Sequence, residues 1–162
     1  VETLTTKKSI KMFEKFGIFT KAELESRAEI LYETYAKSIN IEALTMIDMA
    51  SKQIIPSVIS YTGVLADTVL AVKQAGASTK VQSDLLKKTT ALLEEMQEAL
   101  AKLEKDAAKA MTIADEKKRA FYYKDTVMID MQALRDPADQ LEMLVDKKMW
   151  PYPTYADMLF EV

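Results

Sequence analysis

Histidine and cysteine are both absent from the 162 residues of this chain. Their absence excludes a Ser-His-Asp triad, a cysteine nucleophile, a zinc site built on thiolates or imidazoles, and a haem held by histidine. It also excludes the Glu-x-x-His pairs that carboxylate-bridged di-iron bundles use. A chain without disulfides suits a reducing cytosol. We therefore expect no catalytic, cofactor-binding or metal-binding residue of these classes.

Glycine and proline are scarce, with three and four residues respectively. Together they make up about 4% of the chain, where average usage gives roughly 12%. A sheet protein of this length needs many tight turns, and the residues that make them are missing. Hydrophobic residues account for 49% of the sequence, which is enough to build a folded core. These proportions predict one all-α domain over residues 1–162.

Neither a strong charge excess nor a long apolar run is present. The 22 Lys and Arg residues against 25 Asp and Glu residues give a net charge of −3, which argues against nucleic acid as the main partner. The longest uncharged run, residues 53–66, falls short of the roughly 20 apolar residues of a membrane-spanning helix. We expect it to be a buried helix, with no membrane partner. The chain begins with Val1 rather than Met, so we expect it to be cut from a longer protein.

Local signals predict where the helices begin and end. Gly17 ends a short opening helix over residues 5–16, and Gly76 ends a later one, since glycine readily takes the left-handed conformation at a helix C-terminus. A capping box places a Ser or Thr at the N-cap and an acidic or amide residue three positions later. The sequence offers three such pairs: Thr20 with Glu23, Thr79 with Gln82, and Thr112 with Asp115.

Apolar residues recur at helical spacing in three stripes, which indicates long helices packed lengthwise. The first stripe, on a helix over residues 80–110, contains Leu86, Thr89, Leu93, Met96, Leu100, Leu103, Ala107 and Ala110. The second contains Ala120, Val127, Met131, Leu134, Ala138, Leu141 and Val145. The third contains Leu44, Ile47, Ile54, Val58, Tyr61, Leu65 and Val72. The stripes predict an antiparallel bundle of three to four long helices behind the short N-terminal helix.

Two prolines interrupt these stripes. Pro56 predicts a kink in the third stripe, because proline lacks an amide hydrogen and its ring clashes with the preceding turn. Asp136 and Pro137 read as an N-cap followed by a first-turn proline. The second stripe keeps its phase across Pro137. We therefore expect a kinked or restarted helix there with the same buried face.

The final residues, 150–162, break the helical pattern. Pro151 and Pro153 remove two hydrogen-bond donors, which predicts an extended aromatic tail. The tail either caps the bundle or anchors it against another domain or subunit, since aromatic side chains on a stiff segment bind with little loss of entropy. The candidate interface residues are Trp150, Tyr152, Tyr155, Leu159 and Phe160.

The remaining clusters favour structural interpretations. Charged residues usually lie on solvated faces, which is the interpretation we adopt for Glu94, Glu95 and Glu98 and for the basic run 117–119. Methionine fills cores and also lines adaptable binding grooves. Four methionines fall near the predicted stripes, where core packing is favoured over a groove: Met46, Met96, Met128 and Met131.

Three stretches together resemble a known family. They are KFGIFTKAELESR over residues 15–27, IEALTMIDMA over residues 41–50, which continues into IIPS, and WPYPTYADMLF over residues 150–160. Leu134 and Arg135, followed by Asp139, Leu141 and Glu142, form a fourth element. The chain resembles, over essentially its whole length, the C-terminal region of type III glutamine synthetases, the large bacterial form of that enzyme.

The resemblance implies a cytoplasmic, oligomeric parent enzyme that joins ammonia to glutamate with ATP. The residues for nucleotide, magnesium or manganese, and substrate would lie upstream, and none of those motifs occurs in this chain. We therefore expect a non-catalytic C-terminal domain that braces the upstream catalytic domain or supports a homo-oligomer. The alternative is a stand-alone helical adaptor that binds a partner helix through a methionine-lined groove. A third possibility, an independent enzyme, requires turnover by this chain itself, and we expect none.

Overall fold

The computed structural model describes residues 1–153 and 155–160, and within the last helix it describes the side chains of residues 157–159 only. Every regular element in this part of the chain is a helix, which confirms the predicted all-α class. A 3₁₀ turn over Glu2–Thr5 precedes the α-helices, and π turns cover Ala50–Ile54 and Tyr123–Val127. The α-helices are α1 Lys7–Lys15, α2 Lys21–Met49, α3 Ile55–Gln74, α4 Lys80–Met111, α5 Glu116–Tyr122, α6 Met128–Glu142 and α7 Tyr155–Phe160.

The helix boundaries follow the predicted signals in part. Gly17 and Gly76 have φ angles of 62° and 76°, in the left-handed region that glycine tolerates. At the start of α2 the amide of Glu23 donates to Thr20 Oγ1 (3.3 Å), and the amide of Thr20 donates to Glu23 Oε2 (2.8 Å). This reciprocal pair is the predicted capping box, and it is confirmed.

The other two predicted capping boxes are wrong. The Gln82 side-chain oxygen is buried without a hydrogen-bond partner, so it does not return to the start of α4. Asp115 is itself the N-cap of α5, because its carboxylate accepts the amide of Lys118 at 2.8 Å. The Thr112 hydroxyl instead donates to the Lys109 carbonyl at the end of α4. A short polar side chain in a connection can cap the helix before it or the helix after it. The sequence spacing alone did not show which helix Thr112 and Asp115 would cap.

The prolines affect the helices differently. The π turn over Ala50–Ile54 lies directly before Pro56, and the Ile55 amide donates to the Ala50 carbonyl, five residues back. The hydrogen-bond pattern of the helix therefore changes from four to five residues just before the proline. In a regular α-helix the proline ring would clash with the carbonyl four residues earlier. Pro137 lies inside α6 and is buried, so the predicted restart with an Asp136 cap is wrong. The buried face does continue through it, as predicted, with Leu134 and Leu141 on either side.

The chain folds as two compact units, each built from two separate stretches of sequence. Unit 1 comprises Val1–Leu44 with Lys105–Ile129, and unit 2 comprises Thr45–Glu104 with Asp130–Val162. The core of unit 1 is rich in small side chains: Ala28, Ala36, Ala43, Ala107, Ala110 and Ala120 are buried beside Leu24, Ile39, Tyr123 and Val127. The core of unit 2 is built from larger ones, including Ile54, Val58, Leu65, Met96, Leu100, Leu103, Leu134 and Leu141. The predicted single domain and its antiparallel bundle arrangement stay predictions.

The predicted apolar stripes agree with the burial, with one clear error. Thr89, Met96 and Leu103 are fully or almost fully buried, as the first stripe requires. In the third stripe Leu44 is 47% exposed, and its neighbour Ala43 is buried instead. A small residue suits that position because it lets a neighbouring helix approach closely.

The helical stretch from α2 to α3 contains an apolar segment that is only partly buried. By length and composition, the helical stretch Lys21–Gln74 could cross a membrane, and 28% of its most apolar window is buried. Core helices of soluble proteins meet the same criterion, so a single stretch of this kind is weak evidence for a span. The expectation of a buried helix holds for Val58 and Leu65, whereas Ile59 and Val64 are more than half exposed.

Candidate interaction surface in the C-terminal tail

The tail begins with a turn built around Asp146. The Asp146 carbonyl accepts the amides of Met149 (2.8 Å) and Trp150 (3.0 Å), while its carboxylate accepts the amide of Lys148 (2.8 Å). A short acidic side chain that binds the backbone two residues on is a common way to fix such a turn. The turn follows the end of α6 at Glu142 and fixes the backbone that leads to Trp150.

The first half of the tail packs against its own unit. The Ser57 hydroxyl of α3 donates a hydrogen bond to the Met149 carbonyl, and Trp150, Pro151 and Tyr152 are half-buried. Burial raises the pKa of the Tyr152 hydroxyl, and the nearby Asp48 carboxylate raises it further. The Tyr152 hydroxyl is buried without a hydrogen-bond partner. This part of the tail therefore covers unit 2, as the cap interpretation predicts.

Tyr155–Phe160 of the tail form the helix α7, so the predicted extended conformation is wrong for these residues, while residues 154, 161 and 162 lie outside the described part of the chain. Pro151 and Pro153 restrict the backbone conformation at their own positions and at the residue before each. No proline follows in the sequence, so α7 can form. Lys147 pairs with Asp157, whose side chain is 14% exposed, and this pair ties α7 to the turn after α6.

The five predicted interface residues therefore fall into different environments. Trp150 and Tyr152 are half-buried within unit 2, whereas Leu159 is 71% exposed beside Met158 at 63%. The side chains of Tyr155 and Phe160 lie outside the described residues. Among the described side chains of the tail, Met158 and Leu159 at the end of α7 form an exposed apolar pair that can contact a partner. Whether these residues form an interface stays a prediction.

The other two predicted charged clusters consist of exposed or ion-paired side chains. Glu94, Glu95 and Glu98 are exposed, as a solvated face requires. In the basic run, Lys117 lies 2.7 Å from Glu2, and Arg119 pairs with Glu116 while donating to the Ile113 carbonyl. Within residues 1–153 and 155–160, no group of three His, Cys, Asp or Glu side chains is placed to hold a metal ion.

The predicted methionine positions differ in burial. Met96 is fully buried in unit 2, which confirms core packing for that residue. Met128 is 44% exposed in unit 1, and its sulfur accepts a hydrogen bond from the Tyr35 hydroxyl at 3.1 Å. Core packing is therefore confirmed for Met96 and is wrong for Met128.

Sequence reasoning missed the most buried charged side chain among the described residues. Asp130 is 1% exposed, and its Oδ1 lies 2.7 Å from the Lys102 ammonium. A signal was present, because Asp130 stands three residues after Val127 and four before Leu134, on the buried stripe itself. An acidic residue at such a position indicates a partner from a facing helix.

The comparisons with known proteins all find glutamine synthetases. Residues 1–73 match the family model described as the glutamine synthetase C-terminal domain. A glutamine synthetase of Butyrivibrio fibrisolvens is 40% identical over 156 residues, which cover 95% of this chain and 22% of that protein. The type-3 glutamine synthetase of Dictyostelium discoideum is 30% identical over 167 residues, covering 97% of this chain and 22% of that protein.

A third relative agrees with these two. A glutamine synthetase of Bacteroides fragilis is 30% identical over 149 residues, which cover 88% of this chain and 20% of that protein. This chain thus spans about a fifth of the length of the curated relatives it matches. The resemblance inferred from the sequence is confirmed: the chain is similar to the C-terminal region of glutamine synthetases, a type-3 enzyme among them.

Proposed function

We propose that this chain is the non-catalytic C-terminal part of a type III glutamine synthetase, a cytoplasmic, oligomeric bacterial enzyme. The observation that carries the proposal is the coverage: nearly the whole chain aligns with about a fifth of each relative. The matching family model is described as the C-terminal domain. The parent protein would ligate ammonia to glutamate with ATP. The ATP and the magnesium or manganese ions would bind in the upstream catalytic domain of the same polypeptide.

The role we assign to this part is mechanical support of the catalytic domain or of the oligomer. The aromatic turn at Trp150 and Tyr152 holds the tail on unit 2, and the Lys147–Asp157 pair fixes α7 behind it. Leu159 and Met158 then present an apolar surface on a short helix whose position is already fixed. Such preorganisation reduces the entropy lost on docking. The exposed end of α7 is therefore our candidate contact with the catalytic domain or a neighbouring subunit.

The adaptor alternative receives less support. It requires the chain to act alone, whereas each of the three relatives above is about five times longer than the aligned region.

The test uses the full-length protein with Leu159→Glu, which places a charge on the exposed apolar surface. A matched control is Met143→Glu, since Met143 is an apolar residue of unit 2 that is 84% exposed. We expect Leu159→Glu to reduce the oligomer mass in analytical ultracentrifugation, or glutamine synthetase activity, while Met143→Glu changes neither. Unchanged assembly and activity in Leu159→Glu would remove the contact role. A full-length protein that ligates no ammonia to glutamate would remove the assignment as a whole.

A further inference from the structure

Unit 1 carries an aromatic pocket that the proposed function does not use. Its volume is about 390 Å³, and its walls include Tyr32 and Tyr35 of α2 and Phe121 of α5. The rings of Tyr32 and Phe121 lie 6.3 Å apart at an interplanar angle of 44°. Tyr35 is 36% exposed and contacts the Met128 sulfur through its hydroxyl. Three aromatic side chains therefore line the pocket.

The first three residues of the chain form one side of this pocket, and they are held in place. Glu2 lies 2.7 Å from the Lys117 ammonium, and the Thr3 carbonyl accepts a hydrogen bond from the Ser9 hydroxyl at 2.6 Å. The Val1 carbonyl accepts the Leu4 amide at 3.0 Å, within the 3₁₀ turn. These contacts on both sides of the turn fix the position of Val1 beside the aromatic rings.

We propose that the residues directly preceding Val1 in the full-length protein seat an apolar or aromatic side chain in this pocket. The inference rests on the proposed function, which places further residues before Val1. Because Val1 lines the pocket, a preceding segment starts at its rim and is present there at a high effective concentration. Apolar and aromatic side chains suit walls of this kind, since rings pair favourably at such distances.

Two lysines stand near the pocket, and each has an acidic neighbour. The Lys117 and Lys124 ammonium groups lie 5.9 Å and 5.7 Å from the centroid of the Phe121 ring. Lys117 pairs with Glu2 at 2.7 Å, and Lys124 lies 3.9 Å from Asp125. Because both charges have a partner, they do not determine the charge of the occupant. The aromatic walls therefore favour an apolar or aromatic side chain.

The test is photocross-linking in the full-length protein, with p-benzoylphenylalanine in place of Tyr35. We expect a cross-link within the same chain, mapped by mass spectrometry to the residues immediately before Val1. The matched control places the photoreactive residue at Phe16, an aromatic position of unit 1 that is 69% exposed and does not line the pocket. The control is expected to give no cross-link to that segment. A second variant with the label at Phe121 keeps the test decisive if the Tyr35 variant aggregates.

Several outcomes would overturn the inference. These are a cross-link to a second copy of the chain, a cross-link only to distant upstream residues, no cross-link at either pocket position, or a coding sequence with no residues before Val1. Glutamine synthetase activity of the unlabelled full-length protein is measured in parallel. An active enzyme without the expected cross-link removes this inference and leaves the proposed function standing.

Discussion

The Lys102 ammonium lies 2.7 Å from Asp130 Oδ1, and the two side chains differ sharply in exposure, at 62% for Lys102 and 1% for Asp130. Both carboxylate oxygens of Asp130 are buried without a hydrogen-bond partner, so the charge of Lys102 is the interaction that compensates the carboxylate. The pair therefore joins α4 to α6 within unit 2 through one buried anion and one largely solvated cation. Removing a cation from a buried carboxylate is costly, whereas a solvated lysine loses little when its partner is removed.

This asymmetry predicts unequal effects of the two single substitutions. We expect Lys102→Met to lower the free energy of unfolding by about 1–3 kcal/mol, because the buried carboxylate of Asp130 loses its nearest cation. We expect Asp130→Leu to lie within about 1 kcal/mol of the unsubstituted chain, because an apolar side chain of similar size suits the stripe. Urea unfolding followed by circular dichroism measures both changes.

The control for this prediction is an exposed ion pair on α6, the helix that carries Asp130. Arg135 Nε lies 3.2 Å from Asp139 Oδ2, and both side chains are more than half exposed. Arg135→Met is expected to change the free energy of unfolding by less than about 1 kcal/mol. Equal losses from Lys102→Met and Arg135→Met would contradict a special role for the buried pair.

The Asp130 example shows what a sequence pattern can and cannot predict here. Helical spacing placed Thr89, Met96 and Leu103 in the core correctly, because periodic burial on one face is a local property of a helix. The same spacing placed Leu44 in the core instead of Ala43, since the choice depends on how closely a neighbouring helix approaches. The partner of Asp130 stands 28 positions away in the sequence, and no local pattern identifies it.

The structure of the C-terminal tail was predicted only in part. The composition around Trp150 correctly indicated the end of the long helices. The Ser57 hydroxyl that holds the Met149 carbonyl stands 92 residues earlier, and local spacing does not identify it. The helix α7 was missed because the two prolines dominated the interpretation of the whole tail. The π turn before Pro56 was anticipated only as a kink.

The capping box of α2 predicts a specific response to acid. The amide of Thr20 donates to the Glu23 carboxylate, and this bond, followed by that of the Thr20 hydroxyl, lowers the pKa of Glu23 from its ordinary value of 4.5. Because the pKa of Glu23 is lower in the folded state than in the unfolded state, the ionised carboxylate stabilises the fold. This stabilisation is complete at pH values above the unfolded-state pKa. That contribution is lost as the pH falls below 4.5 and through the folded-state pKa. We therefore expect the N-terminus of α2 to fray in that range.

Hydrogen exchange of the first-turn amides of α2, measured from about pH 6 down to about pH 3, checks this prediction. Glu23→Gln is expected to remove most of the pH dependence, since an uncharged amide can still accept the Thr20 amide. Glu29→Gln, an equal change of charge elsewhere on α2, is expected to retain it. An identical acid response in the unsubstituted chain and in Glu23→Gln would show that the capping carboxylate is not its source.

Two buried tyrosine hydroxyls, those of Tyr123 and Tyr152, are expected to affect the free energy of unfolding differently when they are removed. The Tyr123 hydroxyl donates to Asn40 Oδ1 at 2.8 Å, and Tyr123 is 2% exposed in unit 1. The Tyr152 hydroxyl in unit 2 is buried with no hydrogen-bond partner. Burial raises the pKa of both hydroxyl groups. The two hydroxyl groups therefore share the direction of the pKa shift and differ in hydrogen bonding.

We expect Tyr123→Phe to lower the free energy of unfolding by about 0.5–1.5 kcal/mol, because it removes a hydrogen bond and leaves the Asn40 oxygen without its donor. We expect Tyr152→Phe to leave stability unchanged or to raise it by up to about 1 kcal/mol, because it removes a buried hydroxyl that makes no hydrogen bond. Urea unfolding of the two variants, monitored by circular dichroism, gives the comparison directly. A loss of stability in Tyr152→Phe equal to that in Tyr123→Phe would mean that the Tyr152 hydroxyl has a partner in solution. The half-buried turn would then be held by polar contacts as well as by packing.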